Sequence, residues 1–436
     1  MNKLYYKFIR GDITMKSRRF VALVLAAALV VSMCGCRRDN KNFQTGNVSS
    51  DAQNGWNIFN HPVTRGEGGY YFLISHSSQI VEDKVEKTRS SYMLIMFMQD
   101  DGNSVVVCSK PECKHNSEEC PACLSLESNN PRYDENGNVI PSITGYDRDK
   151  IYYHNGKIYV IYNDDVAGYA YLEEVAPNGA YRTRLFEIGN SAKGYCLTFN
   201  DQDVFIYKRE GSTSGYEETE ATIRRRSLDG KEDEVIYSYK GMGAMLFAVK
   251  NYGDKLYFLE ELYAREKDEN GRQKSISFQR KGLFAYDYQS KTVENVIDAA
   301  ITDYTFDTDN NTLYYYVNND GMYKKTFNDG KTQKIYNMEK DINSVAQISF
   351  LSGNIYLVNC LMGGFTGIPQ KPTLIVFDKD GKEQNRITIS QMNSEIFFGD
   401  NDKIFLQQTD MREGGYSLYY IDIKDGKTDL SMVKIK

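Results

Sequence analysis

The chain is short of the residues that most active sites and helical folds depend on. Its 436 residues include one tryptophan, four histidines and eight prolines. Three of the histidines, His61, His76 and His154, stand in N-H-P, S-H-S and Y-H-N contexts with no ligand-spaced neighbour. They read as polar surface or capping residues, which removes the usual general bases. Downstream of residue 36 no stretch has an apolar period of 3.6 residues, and this excludes helical bundles and doubly wound folds. The N-terminal apolar run, Phe20–Met33, has 14 residues, fewer than the roughly 20 that a spanning helix needs. An excess of base is also missing: 53 Lys and Arg face 59 Asp and Glu, a formal charge of −6. Nucleic-acid binding rests on bases neutralising phosphates, so nucleic acid is excluded as a partner. The single basic run, Arg224-Arg225-Arg226, reads as a solvated strand face closed by Asp229-Gly230.

The N-terminus addresses the protein. Lys16, Arg18 and Arg19 precede the short apolar run, which ends at Cys34-Gly35-Cys36, the layout of a secretory signal peptide. Met15 is a candidate start. Gly35-Cys36 resembles the lipobox of bacterial lipoproteins, which implies that Cys36 receives the lipid and becomes the new N-terminus; Cys34 is the other candidate acceptor, and a plain N-terminal membrane anchor the other reading. Residues 1–35 are thus expected to be a lipoprotein signal peptide and 36–55 a polar tether, with the protein extracytoplasmic and lipid-anchored to the cell membrane. Removing residues 1–35 takes away six bases and one acid, moving the formal charge from −6 to −11.

The mature chain is repetitive. A turn pair followed by alternating apolar and aromatic residues recurs at Gly68, Asn155, Asp201, Gly253, Asn310, Ser352 and Asn401, as in N-G-K-I-Y-V-I-Y and S-G-N-I-Y-L-V. The spacings are 42 to 57 residues, except for a first gap of 87. A second series of apolar segments turns on Asp, Asn and Gly, as in T-L-I-V-F-D-K-D-G-K-E-Q-N-R-I. Asn-Gly or Asp-Gly between strand patterns marks a hairpin, because the turn needs positive φ. About four short strands per repeat predict a β-propeller, in which stacked neighbours bury the faces one blade cannot. The fold class is therefore all-β: one domain over 56–436, seven four-stranded blades at about 56–108, 143–190, 194–240, 245–298, 301–338, 343–390 and 394–434. A pair of β-sandwiches or a β-helix is the competing fold. The 34 tyrosines suit half-buried strands with a wet edge.

Segments such as N-N-D-G-M-Y-K-K-T-F-N-D-G-K-T-Q-K-I-Y resemble the TolB-type and related propeller lipoproteins of Gram-positive bacteria. The lone Trp56 does not supply the per-blade tryptophan of WD40 repeats or quinone-dependent dehydrogenases, and the paired glycines of kelch repeats are missing. The oversized gap holds C-S-K-P-E-C-K-H-N-S-E-E-C-P-A-C, from Cys108 to Cys123. It resembles a C-x-K-P-x-C-x-H…C segment that follows the first blade in the same group.

That stretch is the one concentration of chemistry. Cys108, Cys113, His115 and Cys120 offer the soft and borderline donors of a tetrahedral structural zinc site, with Cys123 as spare or substitute. Two disulfides are the alternative, in which His115 has no role; the anaerobic Gram-positive setting that the resemblance implies speaks against it. A redox role for Cys120-Pro-Ala-Cys123 lacks the helix such motifs open. The Cys/His-rich insertion, 109–142, is expected to be a long loop with little core, stapled by this group. Elsewhere Gly211-Ser-Thr-Ser-Gly215 reads as a loop and Asp307-Thr-Asp-Asn-Asn311 as a turn. Cys196 and Cys360 read as buried small hydrophobes. No catalytic residue emerges. The function expected is a non-catalytic binding or scaffolding module for protein or glycan ligands; the alternative is an extracytoplasmic hydrolase or lyase acting on glycans at the propeller channel.

Overall fold

Each of the seven repeats closes on itself as an antiparallel sheet of four strands. In a computed structural model, blade one comprises Val63–Gly66, Gly69–Glu82, Val85–Gln99 and Asn103–Val106, and blade five comprises Ile301–Asp307, Thr312–Val317, Gly321–Thr326 and Thr332–Asn337. The other blades follow the same order, from Gly145, Tyr195, Ala244, Val345 and Ser394. The structure describes residues 62–435 apart from internal segments, the longer ones being 126–131, 134–138, 209–215, 338–344, 360–372, 410–415 and 424–429. Cys34, Cys36, Trp56, His61, Cys360 and the 211–215 segment lie outside the described residues, and of His76 only the strand backbone is described.

The turns obey the sequence. Asn155-Gly156 and Ser352-Gly353 carry φ of 48° and 74°, and of 47° and 80°, the doubly positive geometry of a type I′ hairpin. Asp307 accepts from the Asn310 N–H and amide at 3.2 and 2.7 Å, so the Asp307–Asn311 segment is a turn.

Among the described residues there are seven buried apolar clusters, one at each junction between neighbouring blades, including Tyr70, Phe72 and Met96 of blade one with Phe397 and Phe405 of blade seven. Seven sheets in an open row would share only six junctions, so the ring is closed. Each buried Leu, Ile or Phe contributes about 1.5–3 kcal/mol by leaving water. The seam between blades seven and one is latched twice. Lys434–Ile435 adds in parallel to the outer strand of blade one at Asn103 and Ser104, and the Tyr70 hydroxyl donates to Asp400 at 2.5 Å.

The first strand of each blade faces the channel and would leave one edge unpaired. Neighbouring blades satisfy that edge with side chains: Tyr153 N–H donates to Thr64 Oγ1 (3.2 Å), Ile348 N–H to Asp303 Oδ2 (3.0 Å) and Phe350 N–H to Thr305 Oγ1 (3.1 Å). Between blades four and five, Lys250 Nζ lies 3.1 Å from Asp303 Oδ1, the two side chains 1% and 0% exposed.

Two surface readings need correcting. Arg224–Arg226 is not a free solvated face: Arg225 pairs with Asp203 (2.8 Å) and Glu234 (3.0 Å), while Arg226 stacks on Phe186 of blade two at 4.2 Å. Strand pairing within blade three brings the acids to the run, and packing against blade two brings the ring. His154 is buried, stacked on Phe199 at 5.1 Å, and that burial lowers its pKa. Cys196 is a buried small side chain among apolar neighbours.

Candidate functional site

The outer strand of blade one is interrupted halfway. Asn103–Val106 pairs with the third strand at Met96–Met98, and Cys123–Ser125 pairs with the same strand at Tyr92–Leu94. Ile95 stands between them. Its carbonyl accepts the Val107 N–H and its own N–H donates to the Ala122 carbonyl, both at 2.9 Å. Residues 108–121 therefore loop out from a mouth pinned on both sides to one residue. The insertion is not the coreless excursion expected: Cys120, Ala122, Cys123 and Leu124 are buried against Met93, Ile95, Ile151 and Val160 at the junction with blade two. Strand alternation supplies that core, since the segment resumes blade one's sheet after the loop.

Three turns fold the loop. In Lys110-Pro111-Glu112-Cys113 the Cys113 N–H reaches the Lys110 carbonyl at 3.4 Å, and Glu112 has φ of 59°. Proline second and positive φ third are the marks of a type II turn. Cys120 N–H bonds Ser117 O, and Cys123 N–H bonds Cys120 O across Pro121, each at 3.0 Å. The Lys110 ammonium ties back to the Glu119 carbonyl. His115, with φ of 52°, turns its ring inward.

The result is a group of four donors. One ligand atom from each of Cys108, Cys113, His115 and Cys120 lies within 4.8 Å of all the others, and His115 Nδ1 is 3.4 Å from Cys120 Sγ. Zinc–sulfur bonds near 2.3 Å at tetrahedral angles put sulfurs about 3.8 Å apart, so the donors are spaced for one metal ion. Cys108, Cys113 and Cys120 are not bridged. Cys123 is not among the four; the Cys120–Cys123 turn sends it into the core. All four favoured residues are thus brought together and the spare is placed elsewhere.

The thiols are unequal. Cys113 is held below the usual thiol pKa, first by the His115 backbone N–H aimed at its sulfur, then by Cys120, Cys108 and the Lys110 ammonium. Burial pushes Cys120 up to about 12. A metal ion bound by these four donors would displace the proton that burial keeps on Cys120, so its binding is expected to release protons and to weaken as pH falls. Blade two buttresses the loop in a way no local pattern announces. Arg182 donates to the carbonyls of Pro121 (3.2 Å) and Cys123 (2.7 Å), and its guanidinium lies 3.6 Å from buried Glu173. Gly179, at φ +68°, passes so close that a Cβ there would stand 2.2 Å from the Val107 carbonyl oxygen. Gly179→Ala is expected to cost about 2 kcal/mol or more, read as a lower urea midpoint with unchanged slope.

The ring and its rim define a seven-bladed β-propeller carrying a Cys3His group that could hold a metal ion. No protein-family model and no curated protein matches the sequence. Solved structures do. One from a study of two prolyl endopeptidases is similar over 98% of this chain and 56% of that one, at 10% identity and a TM-score of 0.51, so the chain spans little more than half of that enzyme's length. TolB from Acinetobacter baumannii matches at 11% identity, TM-score 0.38, over 84% and 80% of the two chains. The β-propeller domain of the Trilobed protease from Pyrococcus furiosus matches at 10%, TM-score 0.43, over 86% and 98%. At such identities the likeness speaks to the propeller fold alone.

Proposed function

We propose that this is a lipid-anchored extracytoplasmic propeller of the Gram-positive lipoprotein type, a binding or scaffolding module for protein or glycan ligands, with a structural zinc ion in the Cys108–Cys120 loop. One observation carries the binding role: the connectors at the two ends of the blades differ in kind. Those joining strands one to two and three to four have two to seven residues. The strand ends at the opposite end are joined by longer stretches of chain, from Val106 to Gly145, from Lys208 to Glu218 and from Asn359 to Thr373, and the hairpins of blades one and four have strands of 13–15 residues. An elaborated loop face on a rigid ring is where recognition residues accumulate. Zinc is favoured by the donor set, three thiolates and an imidazole with no position left open, the composition of a structural and not a catalytic site. A hydrolase or lyase at the channel remains the second reading, kept by the fold shared with prolyl endopeptidases.

A photo-crosslinking residue tests the binding face in intact cells. Placed at Asn116, exposed on the elaborated end, it is expected to give discrete adducts; at Asn155, on the tight-turn end, it gives none. Equal yields at both positions, or none at Asn116, would refute the assignment.

A further inference from the structure

Blade four carries a ribbon that its own sheet does not cover. Strands Lys255–Lys267 and Gln273–Asp287 pair along their whole length. The first strand stops against Leu262, and the fourth pairs only from Leu283 to Tyr286. From Ala264 to Lys281 the hairpin has no third strand among the described residues. Its tip is a firm turn: Asp268 Oδ1 accepts from the N–H of Asn270 (2.9 Å) and of Arg272 (2.8 Å). A free two-stranded ribbon is marginal in water, so its length asks for a surface to rest on.

The side chains indicate which surface. Tyr263 and Phe278 are cross-strand partners with ring centroids 4.9 Å apart, yet Phe278 is 63% exposed, and nearby Met242 is 45% exposed. Arg265 and Arg280 share the face of that pair by strand alternation, and Lys267 sits 4.0 Å from the Tyr216 ring. Residues 261–281 hold six Lys and Arg against four acids, in a chain that is acidic as a whole. Three of those acids are engaged: Glu261 with Arg280 (2.8 Å), Glu266 with the Ser275 hydroxyl (2.6 Å) and Asp268 in the turn. Lys274 and Lys281 are exposed. An exposed aromatic side chain flanked by cations is thus presented to solvent on the ribbon. An exposed ring among cations suits a partner that takes up an apolar group at its surface and carries negative charge.

We propose that the 261–281 ribbon docks on a bilayer of anionic phospholipid, with Phe278 entering the headgroup–acyl boundary and Arg265, Lys274 and Lys281 on lipid phosphates. The lipid-anchored reading is used only to explain why a bilayer is near.

The test uses the full chain in vesicles, with Trp56→Phe removing the native indole and Phe278→Trp supplying a reporter on the ribbon. On vesicles of equal parts phosphatidylcholine and phosphatidylglycerol, emission is expected to shift to the blue and to be quenched by brominated acyl chains; on phosphatidylcholine alone it stays as in water. Each base near an anionic surface contributes on the order of 1 kcal/mol, so Lys274→Gln with Lys281→Gln is expected to lower the inserted-to-free ratio roughly thirtyfold. Identical spectra on both vesicles, or quenching indifferent to the lysine changes, would overturn the proposal; so would adducts from the ribbon to a protein with no lipid dependence. Acylation at Cys36 is read separately from the mass of the N-terminal peptide, so its failure leaves the ribbon result interpretable.

Discussion

Replacing Cys113 with serine is expected to lower bound zinc from about one equivalent to under about a tenth, while Cys123→Ser leaves it at about one. Both residues sit in the same cysteine-rich stretch, so the contrast separates the four-donor geometry from mere thiol content. Cys113 is the thiol most disposed to ionise, because the His115 N–H and Lys110 face it, whereas Cys123 is packed into the junction of blades one and two. Losing the cross-link of a loop this size is expected to lower stability by about 2–4 kcal/mol. Proteolysis should then begin within residues 108–121, while the rest of the ring resists. A Cys113→Ser protein that keeps its full metal content would rule out the assigned ligand set.

Lys250→Met is expected to be the most destabilising single change in the ring, by about 3–5 kcal/mol at pH 8, because it strands the Asp303 carboxylate inside the protein. The Ile348 N–H at 3.0 Å does not replace the lost cation. Burial already raises the Asp303 pKa, and Lys250 is what opposes that rise. The folded carboxyl therefore holds its proton more tightly than the unfolded one. Stability from such a group is fully present below the ordinary carboxylate pKa, near 3.9, and is lost as pH rises through the folded value. The variant's deficit should accordingly shrink as pH falls from 8 toward 4.5. Denaturant midpoints at the two pH values check this, and a deficit equal at both would show that Asp303 is not the group responsible. Lys250→Met combined with Asp303→Leu should recover most of the loss, since apolar replacement of both partners leaves no orphaned charge.

The blade plan was legible because it is local. A type I′ turn at Asn155-Gly156 and strand alternation on either side need only adjacent residues, and seven such units imply a ring. The four donors were legible as well, being within thirteen positions of one another. What the sequence could not show depends on residues far apart in the chain. Ile95 pins both ends of the loop, Arg182 and Gly179 buttress it from blade two, and Asp203 and Phe186 absorb the arginine run. The insertion's core was missed because Ala122 and Leu124 look like loop residues until they resume strand pairing beside Met93. His154 reads as a surface residue in its Y-H-N context because its burial comes from Phe199 of the next blade.

Zinc-edge X-ray absorption on protein purified without chelator tests the central claim most directly, that the rim of blade one holds one metal in a closed Cys3His site. The prediction is three sulfurs at about 2.3 Å, one nitrogen at about 2.0 Å and no further ligand. Absence of metal together with oxidised, thiol-free Cys108, Cys113 and Cys120, or a shell of light atoms with fewer than three sulfurs, would contradict it.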